Sequence, residues 1–294
     1  MSDYAIGKGL AGIGPVRGPL VLVRRNTSLP REVDLALATL LAEREMTGLR
    51  DRFVTVAVRT REDFGWVGRA IRWLSDHGRQ PIARLRVPPD ANLVRTLRDV
   101  GAIAVVEVVN TNVEIQRLLL GPSCAPMGEL LLAAQHLRAA GLPVVARLGP
   151  LLPGIHGSCG RGTHAFRSLL SHLKVADIRD VEIVFGHLDQ QRLLTLESAI
   201  DAEQMMELAR AFGISTGELL ALGAQKIVLQ GPRSMAPMIA SVFRMELQSA
   251  IRREEISLRM AGEIAARQSE NVGREFAPVH RGVLQDISEG TAIS

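Results

Sequence analysis

Three side chains able to bind a transition metal fall within nine positions of one loop, in "GIHGSCGRGTHAF" (154–166): His156, Cys159 and His164. Imidazole nitrogen and thiolate sulfur are donors that suit zinc or copper. The spacing H-x2-C-x4-H matches neither a zinc finger nor a zinc ribbon and no fourth donor follows, so the expectation for metal is none. The glycines of the same stretch, running into "HAFRSLLSHL", offer a second chemistry. Free backbone N–H groups at a helix start, with Arg161 beside them, can receive an anion; the alternative is an ordinary glycine-rich connection. "LQGPRSMAP" (229–237) sets a similar pair of readings. Gly231, Arg233 and Ser234 form a phosphate-facing turn, or Ser234 caps the helix that Met235 and Pro237 begin.

Another set of charges lies inside apolar runs: Glu107 in "VVEVV", Glu182 in "DVEIV", Arg84 and Arg86 in "IARLRV", and Arg147 in "VVARLG". Charges inside parallel strands turn toward a barrel lumen or its rim, because helices cover the outer face. A lone buried charge is costly, so these groups are expected to pair across the lumen, as a structural network or as the lining for an anionic ligand. No Ser-His-Asp or paired-carboxylate arrangement names a reaction.

The elements that must position these residues alternate. Strands are expected at 19–25, 52–60, 81–87, 103–109, 143–149, 180–186 and 226–231, with helices near 31–46, 64–77, 90–99, 127–140, 161–173 and 201–212. That order implies an α/β fold, a parallel sheet closed or partly closed into a (β/α) TIM-like barrel. The barrel spans 19–233, after an N-terminal segment 1–18. Residues 234–270 read as a C-terminal helical extension in which Met238, Val242, Met245, Leu247 and Ile251 make an apolar stripe, and 271–294 as a polar tail. The stripe packs on the barrel, or it serves a protein partner or a homodimer.

With 294 residues, 47% of them hydrophobic, the chain can bury a substantial core. No apolar run of about 18 residues appears and the N-terminus lacks a signal-peptide pattern, so neither a membrane span nor secretion is expected, and the location reads as cytoplasmic. Two cysteines, Cys124 and Cys159, agree with a reducing compartment. The formal charge is +4, carried by arginines interleaved with acids rather than gathered in a stripe, which argues against a nucleic-acid footprint.

The central third, residues 66–157, resembles the spore-photoproduct-lyase-like branch of the radical SAM superfamily. The likeness is carried by "NTNVE" (110–114) after a strand, by "RLLLGP" (117–122), and by "GLPVVARLGPLLPG" (141–154), which is similar to that family's strand and its proline-rich turn. The resemblance implies a S-adenosylmethionine pocket at the strand ends. Arg86 would hold a carboxylate, Asn110 and Thr111 a hydroxyl, and the turn at Gly149, Pro150, Pro153 and Gly154 an adenine ring. It also implies a C-x3-C-x2-C triad after the first barrel strand, holding a [4Fe–4S] cluster. The sequence there is "NTSLPREVDLAL" (26–37), without cysteine. The expectation is therefore a barrel with no [4Fe–4S] cluster, acting as a non-catalytic accessory protein that binds a partner or a small anionic ligand. The alternatives are a cluster-free enzyme using S-adenosylmethionine or a nucleotide, and a nucleic-acid-associated protein.

Overall fold

The computed structural model describes residues 4–6, 20–24, 53–223, 229, 231–259 and 263–264. The strands are β1 (Tyr4–Ile6), β2 (Leu20–Arg24), β3 (Phe53–Val58), β4 (Gln80–Leu85), β5 (Ile103–Val108), β6 (Val144–Leu151), β7 (Asp180–Phe185) and β8 (Ser257–Leu258). They form one sheet in sequence order, β1 antiparallel to β2 and every later neighbour parallel. Helices α1 (Phe64–Asp76), α2 (Ala91–Asp99), α3 (Val113–Leu120), α4 (Met127–Ala139), α5 (Gly160–Val175), α6 (Gln190–Glu197), α7 (Ala202–Ala211), α8 (Thr216–Gly223) and α9 (Pro237–Arg253) lie between the strands. Among the described residues no pairing joins β8 to β1, so the architecture is a partial α/β barrel.

Period-two side-chain alternation gives the sheet two different faces. Outward, Val54, Val56, Val58, Ala83, Leu85, Ala104, Val106 and Leu148 bury themselves with Trp66, Ile71 and Leu74 of α1, Leu130 and Leu137 of α4, and Phe166, Leu169 and Leu173 of α5. Each Val, Leu, Ile or Phe among them, fully buried, contributes about 1.5–3 kcal/mol. The helix starts are set locally. Asp90, Asn112, Asp189 and Asp201 accept backbone N–H groups at the starts of α2, α3, α6 and α7.

The termini depart from the expected division. Residues 4–6 supply an edge strand. The helix expected over 234–270 runs over Pro237–Arg253, after which the chain turns at Glu254 and Glu255, the latter with φ +58, and returns as β8 beside β7. Its apolar stripe also splits. Leu247 and Ile251 are buried with Phe243, whereas Met238, Val242 and Met245 are exposed, Met238 by 79%. The expected helix at 31–46, the stretch 26–37 where the cysteine triad would fall, and the tail 271–294 lie outside the described residues, as does most of the strand expected at 226–231. No helix among the described residues is long and apolar enough to cross a membrane.

Candidate functional site

On the inner face the side chains change character along the strands. Toward the amino-terminal end Ile82, Ile103, Val105 and Val145 form an apolar floor with Phe53 and Ile264. Toward the carboxy-terminal end the same face carries charge. Register sets Glu107 of β5 beside Arg147 of β6, and Arg147 beside Glu182 of β7. Arg84 on β4 and Arg86 just beyond it point the same way, being two residues apart. These charges therefore face the lumen together, as expected.

Glu107, 3% exposed, serves three guanidiniums. Its Oε1 lies 3.1 Å from Arg84 Nε and 3.5 Å from Arg147 Nε, and its Oε2 accepts from Arg86 Nε. Arg147 also donates to Glu182, and Arg86 to the Leu120 carbonyl at the end of α3. Burial by itself pushes the Glu107 carboxyl up, but the arginines outweigh it and hold its pKa below the ordinary value. Arg84 differs from its neighbours. Its side chain is 15% exposed, Glu107 is its ion-pair partner, and among the described residues it donates no hydrogen bond; its Nε is sealed from solvent without an aligned acceptor. Burial lowers its pKa while Glu107 pulls the other way. Among the described residues, three guanidiniums thus share two carboxylates.

The proline-rich turn after β6 is built differently. The register against β7 shifts between Leu148 and Leu151, and in that bulge Gly149 has φ +146 and a cis peptide bond to Pro150. A Cβ on Gly149 would collide with the Val184 carbonyl oxygen, and one on Gly154 (φ +79) with the Gln204 carbonyl oxygen of α7. Protein backbone fills the space a flat ring was expected to use. Pro150 is half-buried and Pro153 buried in the same turn.

Two of the three metal-donor candidates from this loop, His156 and Cys159, have other roles. Nδ1 of His156 accepts the Leu152 N–H at 2.9 Å, so its Nε2 carries the proton and donates to the Val109 carbonyl at 2.8 Å. Burial drives its pKa down to about 4, which keeps it neutral. Cys159 Sγ accepts the Gly162 N–H as the cap of α5 and donates to the Gly154 carbonyl. His164 is exposed. Glu246 of α9 closes the turn, accepting from the Ser158 N–H at 3.0 Å and from the Ser158 and Thr163 hydroxyls at 3.2 and 3.1 Å. Sequence reading missed Glu246, since nothing local marks a residue 88 positions from its partner.

Asn110 and Thr111 open elsewhere, on a cleft of about 430 Å³ between the starts of α3 and α5 that also includes Arg161 and His164. Arg161 is held by Asp201 at 2.7 Å. Of the expected ligand residues, then, Asn110 and Thr111 line a cleft, Arg86 belongs to the inner charge layer, and Gly149, Pro150, Pro153 and Gly154 form a closed wall. In the other predicted turn, Arg233 donates to the Gly213 carbonyl and to Glu218, both at 2.9 Å, fastening α8 instead of facing an anion. Ser234 does not cap α9, which begins at Pro237 after Ala236, because proline at the first position needs no N–H partner.

The donor set does not fit a three-thiolate cluster. The sequence has two cysteines; Cys124 is buried, which pushes its thiol up to about 11, and Cys159 is engaged as a helix cap. The glycine wall likewise does not fit the adenine ring that the resemblance implies.

No protein-family model matches the sequence, and no curated protein matches it by sequence. Solved structures do match. A cysteine-to-serine mutant of spore photoproduct lyase aligns at 12% identity with a TM-score of 0.50, over 77% of this chain and 65% of its own. Spore photoproduct lyase complexed with dinucleoside spore photoproduct aligns at 11% identity and a TM-score of 0.48, over 76% of this chain and 64% of its own. This chain thus spans less than two thirds of the length of either protein. At such identity the likeness concerns the path of the chain alone, and the fold is an α/β partial barrel of the kind found in spore photoproduct lyase.

Proposed function

We propose that this protein is a non-catalytic ligand-binding barrel, free of cluster chemistry, that takes a small carboxylate- or phosphate-bearing molecule at the carboxy-terminal end of its inner face. The observation that supports this reading is Arg84, a largely buried guanidinium that, among the described residues, donates no hydrogen bond and lies in a layer where arginines outnumber carboxylates. Guanidinium donors form a rigid fork matched to carboxylate and phosphate oxygens. A bound oxyanion would supply both the missing acceptors and the missing charge.

The test is a melting-temperature and calorimetric screen of small carboxylates, inorganic phosphate, adenosine nucleotides and S-adenosylmethionine. A ligand at 100 times its dissociation constant adds about 2.7 kcal/mol of stability. The expected result is a shift with at least one oxyanion that disappears in Arg84→Gln. A shift that survives this substitution would place the ligand elsewhere and overturn the assignment. A shift specific to S-adenosylmethionine and dependent on Arg84 would favour the cluster-free enzyme. No shift at all, with another protein co-purifying, would favour an accessory role through a partner.

A further inference from the structure

Helices α5 and α9 are joined by two bridges. Near the start of α5, the Thr163 hydroxyl donates to Glu246 of α9 at 3.1 Å, and near its end Lys174 meets Glu254, just past α9, at 3.5 Å. Between these bridges the two helices leave a crevice of about 260 Å³. Its floor is apolar: Phe166 of α5 with Leu247 and Ala250 of α9. His156 borders it as well but adds only ring carbon, because both of its nitrogens are engaged by backbone groups.

The rim is basic. Helix α5 carries Arg161, Arg167 and Lys174 with no Asp or Glu, and Glu246 is the one acid within α9. Arg161 is paired with Asp201 and Lys174 with Glu254. Arg167 and Arg253, which line the crevice from its two walls, have no partner for their guanidiniums among the described residues. Glu246 does not cancel them. Its carboxylate is occupied by the Ser158 N–H and by the Ser158 and Thr163 hydroxyls, and Arg253 lies two turns further along α9, about 10 Å away.

An apolar floor under an unpaired basic rim matches a ligand that has both characters. We infer that this crevice binds a small amphiphilic carboxylate, with its chain or ring on Phe166, Leu247 and Ala250 and its carboxylate between Arg167 and Arg253. Guanidiniums are matched to carboxylate oxygens, and the aliphatic stems of the two arginines extend the apolar walls toward the mouth. The volume falls just below the range of sites for drug-sized ligands, which limits the ligand to a short acyl chain or a single ring. A purely polar anion gains nothing from the floor, where burial of apolar surface supplies the affinity. No residue of the inner charge layer lines this crevice, so the site stands apart from the ligand proposed there.

The experiment is a calorimetric titration of the full chain with octanoate and phenylacetate, and with octanol, octylammonium and acetate, each of which lacks one of the two characters. Octanoate or phenylacetate should bind one to one, about tenfold more tightly than the three counterparts. Comparison of the two shows whether a chain or a ring fits the floor. The double variant Arg167→Gln with Arg253→Gln should weaken this binding about tenfold, and Ala250→Leu, which fills the floor, should abolish it. Both arginines are exposed, so the double variant folds and decides the matter even if Ala250→Leu does not. Arg84→Gln should leave the binding unchanged, which separates this site from the inner layer. Equal affinity for octanol, unchanged affinity in the double variant, loss of binding in Arg84→Gln, or no binding of either carboxylate at millimolar concentration would overturn the inference.

Discussion

Two regions at the carboxy-terminal ends of the strands solve the same problem, how to bury polar groups, in opposite ways. The inner layer uses ions: Glu107 faces Arg84, Arg86 and Arg147, and among the described residues Arg84 is left without a hydrogen bond. The turn from Leu152 to Gly162 relies on short-range hydrogen bonds and close backbone approach, with both nitrogens of His156, the Cys159 thiol and the Gly154 carbonyl each engaged. The turn that most resembles a ligand wall is therefore complete in itself. Among the described residues the unfinished bonding lies at Arg84 Nε, and unmet hydrogen-bonding capacity is the better guide to a binding place than the shape of a loop.

The largest expected effect breaks the ionic region. Glu107→Ala leaves three guanidiniums around a void and should destabilise by about 3–5 kcal/mol in urea denaturation. A loss under about 1 kcal/mol would mean that the layer is solvated and the contrast between the two regions false.

The turn should reveal itself by pH. His156 is neutral when folded, with its pKa down at about 4, whereas an unfolded histidine titrates near its ordinary value. Between these limits the unfolded state binds more protons, so stability rises with pH across that window and falls as pH drops through it, by about 3 kcal/mol in total. His156→Gln should flatten the stability curve between about pH 4.5 and 6.5, above the range where the depressed Glu107 pKa contributes. An unchanged slope would show that another group titrates there.

Gly154→Ala tests close approach, because it adds a Cβ toward the Gln204 carbonyl at a positive φ. The expected loss is about 2 kcal/mol, and more for valine. A neutral outcome would reopen the wall to a ligand. Arg84→Leu sharpens the comparison from the other side. Glu107 keeps Arg86 and Arg147, so stability without ligand should change by less than about 1 kcal/mol. A loss comparable to that of Glu107→Ala would make Arg84 a structural member of the network. The smallest effect, within about 0.5 kcal/mol, is expected for Met238→Ser on the exposed face of α9.

The sequence by itself determined much of the fold, because the signals are local. β-branched apolar runs separated by amphipathic segments locate the strands from β2 to β7 and the helices α1, α2, α4, α5 and α7 to within a few residues. Helices α3 and α6 were missed although Asn112 and Asp189 mark their starts, since eight residues are too few for a convincing helical period. The grouping of Arg84, Arg86, Glu107, Arg147 and Glu182 was also legible, because a charge inside a helix-covered strand can point only inward. Tertiary structure alone decided the rest. It set the Gln204 carbonyl against Gly154, the Val109 carbonyl against His156, and Glu246 against Ser158. It also separated Asn110 and Thr111 from the turn they were expected to share and brought them to Arg161. The physical reason is range: a strand or a cap is specified by residues within a few positions of one another, whereas the space beside Gly154 and the partner of the buried His156 donor are fixed by elements 50 and 47 residues away.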